Sequence, residues 1–105
     1  MIIYNKLVRD KIPQIIEATG KKANIKVLDD KEYEAELDAK LLEELKEYTS
    51  APVNEKVEEL ADLVELVYAI LDNKGISIDD FEKVRIAKQE KRGAFKERLY
   101  LLSVE

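Results

Sequence analysis

Cysteine, histidine and tryptophan are absent from the 105 residues, and there are only three glycines and two prolines. Without cysteine there is no disulfide framework, no thiolate metal site and no cysteine nucleophile, which suits an intracellular, cytoplasmic protein. Without histidine, imidazole acid-base catalysis and imidazole metal ligation are excluded. Any chemistry must therefore come from carboxylates, lysine, arginine, tyrosine, hydroxyls or a bound hard cation held by oxygens. Long apolar runs are missing as well, so no membrane span is expected. Lys6, Arg9, Asp10 and Lys11 interrupt the short apolar start, so no secretory leader is expected either.

What is abundant is charge, and it is unevenly spread. Residues 29–65 hold 14 acidic and 4 basic side chains, residues 1–28 hold 2 and 6, and residues 66–105 hold 7 and 8. The net charge of -5 thus conceals an acidic middle between two basic ends. Duplex nucleic acid is an unsuitable partner for such a middle, because neutralising phosphates needs a continuous basic surface. A phosphate flanked by a metal on one side and lysine or arginine on the other is compatible with it. The length implies one domain over residues 1–105, small enough that a homodimer or higher homo-oligomer would help to bury its apolar faces.

The pattern predicts a mainly α protein, a compact antiparallel helical bundle with a small β element near the N- and C-terminal segments. After an apolar start at Ile2–Val8, a short helix runs from about Asp10, a good N-cap, through Ala18 and ends at Thr19-Gly20. Pro13 fits only in its first turn. Asn24–Leu28 reads as a strand, and a long helix then starts at Asp29 or Asp30 and ends near Tyr48. Its apolar stripe is Tyr33, Leu37, Leu41, Leu45 and Tyr48; Glu44 borders that stripe and Glu47 lies further out.

Ala51-Pro52-Val53-Asn54 breaks the helix, and a broadly apolar, central helix follows from about Glu55 to Asn73, with Gly75 near its cap. Ser77-Ile78-Asp79-Asp80 resembles a capping box and opens a last helix to about Arg92, closed by Gly93. Phe95–Val104 alternates enough to predict a terminal strand that pairs with the one near Ile25.

Two carboxylate groups fall on the two long helices, Glu43-Glu44-x-x-Glu47 and Glu59-x-x-Asp62. Residues three apart share a helix face, so Glu44 pairs with Glu47 and Glu59 with Asp62. A plain reading makes these acids solvated helix faces with Lys40, Lys46 and Lys56 as local partners. Against it, Glu44 and Glu59 border apolar arcs, and the two helices are consecutive and antiparallel. Converging carboxylates repel unless Mg²⁺, or Mn²⁺ in its place, turns the repulsion into binding while leaving positions for water and phosphate oxygens.

With these residues in view, the chain resembles the all-α nucleotide pyrophosphohydrolases, the MazG-like and phosphoribosyl-ATP pyrophosphohydrolase superfamily, whose EExxE motif is followed by ExxD on the next helix. The segment Lys6–Pro13, KLVRDKIP, and the ending Lys88, Arg92, Gly93 and Phe95 are similar to a small subgroup of housecleaning pyrophosphatases. The resemblance implies Mg²⁺ bound by Glu44, Glu47, Glu59 and Asp62. It also implies hydrolysis of a nucleoside triphosphate, including a damaged one, to monophosphate and pyrophosphate by metal-activated water. Glu43 occupies the remaining motif position, where it tunes the site or assists proton transfer; the general base stays open.

The basic residues keep two readings each. Lys6, Arg9 and Lys11 contact substrate phosphates, or they pair with Asp10 and the acidic helices. Lys88 and Arg92, one turn apart, form a phosphate clamp or merely complement a helix C-terminus. Tyr33, Tyr48, Tyr68 and Phe95 stack on a base or fill the core, and Asn5 reads a base edge or makes a turn. Two other functions fit the same residues: the phosphoribosyl-ATP step of histidine biosynthesis, and a non-catalytic helical module that binds a basic partner through its acidic ridge.

Overall fold

The computed structural model describes residues 1–105 and contains four α-helices and no strand. They are α1 (Ile12–Glu17), α2 (Asp30–Ser50), α3 (Lys56–Asn73) and α4 (Ile78–Arg92), with a 3-10 turn at Val53–Glu55 leading into α3. No helix is long and apolar enough to cross a membrane.

Local chemistry sets most of these boundaries. At the start of α2, Asp29 accepts from the Glu32 amide at 2.8 Å and the Glu32 carboxylate accepts from the Asp29 amide at 3.3 Å, a reciprocal capping box. The helix stops where Ala51, preceding Pro52, is driven into extended backbone. Across the turn, Lys56 Nζ donates to the Tyr48 carbonyl at 2.7 Å and lies 4.6 Å from the centre of its ring, which ties α3 back onto α2.

The end of α3 is a Schellman motif. The Ile76 amide donates to the Leu71 carbonyl and the Gly75 amide to the Asp72 carbonyl. Gly75 supplies the positive φ of 73° that this turn requires. Ser77 then caps α4 by accepting from the Asp80 amide at 3.1 Å, but the Asp80 side chain returns no bond, so only half of the expected box forms. In α1, Pro13 sits in the first turn as its missing amide requires. Lys11 holds the N-cap position there without a side-chain bond, so the expected Asp10 cap is not made.

The small β element expected at the two ends does not form. Asn24–Leu28 and Phe95–Val104 have no strand pairing, with Ile25 65%, Val27 89% and Leu102 87% exposed. Alternation signals that a segment has an apolar face, but a strand also needs a neighbouring edge for its backbone groups, and neither segment lies beside one.

The bundle is likewise elongated rather than compact, at 61 × 34 × 24 Å with a radius of gyration of 18.1 Å. A globular chain of this length has a radius of about 13 Å. Only α2 and α3 pack extensively on each other, and α4 touches α3 lightly. The buried residues are Leu37 on α2, Leu66 and Leu71 on α3, and one acid, Glu44.

The line of α2 facing α3 is therefore rotated slightly from the apolar stripe. Glu44 is inside, while Leu45 is 47% exposed. On α3, Val57, Leu60, Val64 and Tyr68 form a second apolar stripe that this chain leaves uncovered. The accessible surface is 9776 Å². A folded monomer of this mass exposes about 6,000 Å².

Candidate functional site

The α2–α3 hairpin brings all five motif carboxylates into one cluster with Glu44 at its centre. Glu43, Glu44 and Glu47 each place an oxygen within 4.8 Å of the others, and so do Glu44, Glu59 and Asp62. The first set follows from spacing on α2. The second spans both helices and exists because the turn at Pro52 folds α3 back so that Glu59 and Asp62 meet Glu44.

At such separations two full charges repel by about 3 kcal/mol at an effective dielectric near 20. Burial adds to the cost. Glu44 is 7% exposed, and its Oε2 has no hydrogen-bond partner; neither does the buried Oε2 of Glu59. Buried carboxylate oxygens left unpaired are destabilising by themselves. A set made only of carboxylate oxygens, two of them orphaned, fits a hard divalent cation such as Mg²⁺.

Three cations touch the cluster's rim. Lys40 Nζ bridges Glu43 at 3.3 Å and Glu44 at 3.4 Å from one turn earlier on α2, with its side chain 17% exposed. Lys6 Nζ lies 3.4 Å from Glu43, and Arg9 Nη2 lies 2.6 Å from Asp62 Oδ1. The N-terminal segment thus crosses the open side of the hairpin, with Asn5 turning it through a positive φ of 45°.

Neighbouring carboxyls are split by these surroundings. Burial, followed by the nearby charge of Glu47, raises the Glu44 pKa above the ordinary value, with Lys40 opposing it only in part. Burial alone would push Glu43 up too, but hydrogen bonds and charge from Lys40 and Lys6 together hold it below the ordinary value. The two neighbouring acids are thus shifted in opposite directions by their surroundings.

Of the residues expected from sequence, Glu43, Glu44, Glu47, Glu59, Asp62, Lys6 and Arg9 come together, and the two N-terminal cations take the ion-pair reading with the acidic helices. Lys88 and Arg92 do not join them: both are exposed on α4 and form no ion pair with the cluster. Lys11 makes no ion pair with it either. The aromatic side chains do not converge here; Phe95 is 96% exposed, and Tyr48 packs under Lys56.

Lys40 is the residue whose place the sequence did not make clear. Its spacing of three and four from Glu43 and Glu44 marks it as a local partner, and burial makes it an internal counter-ion. Two grooves, one of about 420 Å³ lined by Glu65, Tyr68, Asp72 and Ile76 and one of about 330 Å³ lined by Leu7, Asp10, Lys26 and Tyr33, include none of the motif carboxylates in their lining.

The helical hairpin thus joins two carboxylate triads through Glu44, with orphaned buried oxygens on Glu44 and Glu59, a donor set of the chemistry that suits a divalent cation. The family model described as phosphoribosyl-ATP pyrophosphohydrolase matches residues 10–88, and the chain belongs to that family. The match contains the whole hairpin and reaches Lys88, leaving Lys6 and Arg9 just before it. An uncharacterised protein of Mycolicibacterium smegmatis is 52% identical over 46 residues, 44% of this chain and 47% of that relative. The alignment therefore spans about half of each. No solved structure matches the chain.

Proposed function

We propose that the protein is a Mg²⁺-dependent nucleotide pyrophosphohydrolase, cleaving the α,β-phosphoanhydride of a nucleoside triphosphate to release monophosphate and pyrophosphate. The observation that carries this reading is the pair of orphaned buried oxygens on Glu44 and Glu59 at the centre of the five-carboxylate cluster. Family membership supports the pyrophosphohydrolase class.

Glu44, Glu47, Glu59 and Asp62 would hold the ion. Bound there, Mg²⁺ supplies neutralisation of the phosphate charge and a lowered pKa for the attacking water. The chain's own groups do the rest. Glu43, kept ionised by Lys40 and Lys6, is available to accept the proton that water loses as its oxygen bonds to phosphorus. The anhydride P–O bond breaks as that bond forms, and pyrophosphate leaves. Lys6 and Arg9, at the rim, bind the phosphates, and Lys88 and Arg92 extend the same role from α4.

Phosphoribosyl-ATP presents the same bond and releases the same pyrophosphate, and the description of the matching family favours it. The KLVRDKIP opening and the Lys88–Phe95 ending favour the nucleoside triphosphate. Pyrophosphate release measured across canonical and damaged nucleoside triphosphates and phosphoribosyl-ATP, with Mg²⁺ or Mn²⁺ and with EDTA, separates the two. Turnover of phosphoribosyl-ATP alone overturns the first reading. Metal-independent release, or none on any substrate, overturns both and leaves the acidic ridge as a docking face.

The working form is a homo-oligomer, with a homodimer as its smallest unit. The surface exceeds that of a compact monomer by roughly 3,800 Å², more than the ~800 Å² per partner of a standard stable interface. The stripe Val57, Leu60, Val64 and Tyr68 is the part of α3 that a second copy would cover. A second chain seated on that stripe would also lie close to the carboxylates that α3 carries, Glu59 and Asp62.

A further inference from the structure

Two of the cluster's counter-ions come from the N-terminal segment, on the far side of a loop from the helices that carry the acids. Lys40 is fixed by its position on α2, one turn from its partners. Lys6 and Arg9 are separated by 37 and 53 residues from Glu43 and Asp62; apart from these bonds, Lys6 meets only the ring of its neighbour Tyr4, 5.8 Å away, and Arg9 has no second ion pair. Both side chains are substantially exposed, at 40% and 56%. Their two bonds are therefore contacts that water and ions can reach, one made to Asp62, which would hold the divalent cation, and one to Glu43 beside the ligand set.

Five carboxylates against these three cations leave two negative charges when all are ionised. A divalent ion entering among Glu44, Glu59 and Asp62 brings two positive charges beside Arg9, whose guanidinium already occupies Asp62 Oδ1 at 2.6 Å. The ion and the guanidinium repel each other and compete for the same carboxylate. A pyrophosphate group on that ion offers Arg9 and Lys6 a denser set of anionic oxygens. Hydrogen bonds to such a group are stronger than a single exposed ion pair.

We propose that Arg9 and Lys6 are exchangeable counter-ions: before the metal binds they pair with Asp62 and Glu43, Arg9 then gives up Asp62 to the metal, and both transfer to the phosphate oxygens of the bound substrate, which frees Glu43 of Lys6. This rests on the metal-site reading above and adds an order of events to it. The N-terminal segment holds the acids together in the empty site and becomes a phosphate clamp in the filled one, with no bond made or broken beyond hydrogen bonds and ion pairs.

The exchange predicts effects of opposite sign from one substitution. Arg9→Gln removes the competitor, so calorimetric Mg²⁺ affinity rises by about two- to fivefold, the worth of an exposed ion pair. With saturating Mg²⁺, inorganic pyrophosphate binds the same variant about tenfold more weakly, as loss of a charge-assisted bond requires. Lys22→Gln, an exposed charge without an ion pair, moves both constants less. In the unsubstituted protein, amide exchange of residues 6–12 quickens on adding Mg²⁺ and slows again with Mg²⁺ and pyrophosphate together.

Mg²⁺ affinity that is unchanged or lower in Arg9→Gln overturns the exchange, because Arg9 would then only orient Asp62. Equal shifts in Lys22→Gln overturn it too, by reducing it to overall charge. An unsubstituted protein that takes up no Mg²⁺ defeats the metal-site reading itself, which distinguishes that failure from failure of the exchange.

Discussion

The α2–α3 hairpin and the remainder of the chain solve the same problem of burial to different degrees. The hairpin contains every buried residue, is capped by a reciprocal box at Asp29 and a Schellman turn at Gly75, and is clamped at its bend by Lys56. In α4 and residues 93–105, no residue is buried, and Phe95, Leu99, Tyr100, Leu101 and Leu102 are each at least 78% exposed. Apolar side chains at such density gain nothing by facing water. The contrast teaches that one chain suffices to assemble the carboxylates, whereas it leaves the apolar surfaces around them uncovered.

The largest effect should come from the self-sufficient half. Glu59→Gln keeps shape and removes one ligand charge, so Mg²⁺ uptake and pyrophosphate release should fall by on the order of 100-fold or more, beyond what loss of an outer partner produces. Folding should persist, because the substitution also relieves repulsion around Glu44. Turnover within a few-fold of the original would remove Glu59 from the metal shell.

The unfinished half is tested on α3's second stripe. Val64→Asp places a charge where a partner chain would seat, 44% exposed in the single chain. Light scattering should show dissociation to monomers, with the dimer constant weakened by about 30-fold or more, as an unpaired charge in an interface costs roughly 2 kcal/mol or more. If the protein is a monomer beforehand, or the mass is unchanged afterwards, that stripe is not an interface.

Lys88 and Arg92 lie on the border between the halves. They make no ion pair with the cluster, so any phosphate they bind must reach α4 from the hairpin of the same chain or of a neighbour. Replacing both by Gln should raise KM by about tenfold with kcat largely kept, the expected loss of contacts made equally in ground and transition states. An unaltered KM would leave them as complements to the end of α4, where Lys91 is also present.

These comparisons also explain what could be read in advance. Helix limits were legible because they depend on neighbours in sequence: Pro13 in a first turn, the break at Pro52, Ser77 before α4. The five carboxylates were legible because two spacings on consecutive helices leave few ways to arrange them. The β element was not, since alternation around Ile25 and Val27 specifies a face but not an edge to pair with.

The inward turn of Glu44 was only half visible. The lines 37–41–45–48 and 37–41–44–48 have almost the same helical period, and hydrophobicity favours Leu45. What places Glu44 inside is the packing of α2 on α3, which brings it to Glu59 and Asp62 and leaves Leu42 and Leu45 outward. Lys40 follows from the same rotation, since its place one turn before Glu44 brings it under cover too.

That rotation carries the smallest and most specific prediction. Because burial raises the Glu44 pKa, the folded protein holds this proton more firmly than the unfolded chain does. Its contribution to stability is complete below the ordinary glutamate value and is lost as pH rises through the raised one. Glu32, Glu43 and Glu82, held low by cationic partners, run the other way and lose stability as pH falls. The useful quantity is therefore the difference between the metal-free protein and Glu44→Gln. At neutral pH the variant should be more stable by about 1 kcal/mol, or roughly 4–8 °C in Tm. The gap should close as acid protonates Glu44, and saturating Mg²⁺ should reverse it, because only the ionised carboxylate is a ligand. A gap that is constant with pH would mean that Glu44 is solvated after all, and the division between a finished hairpin and an unfinished surround would then stop short of the site itself.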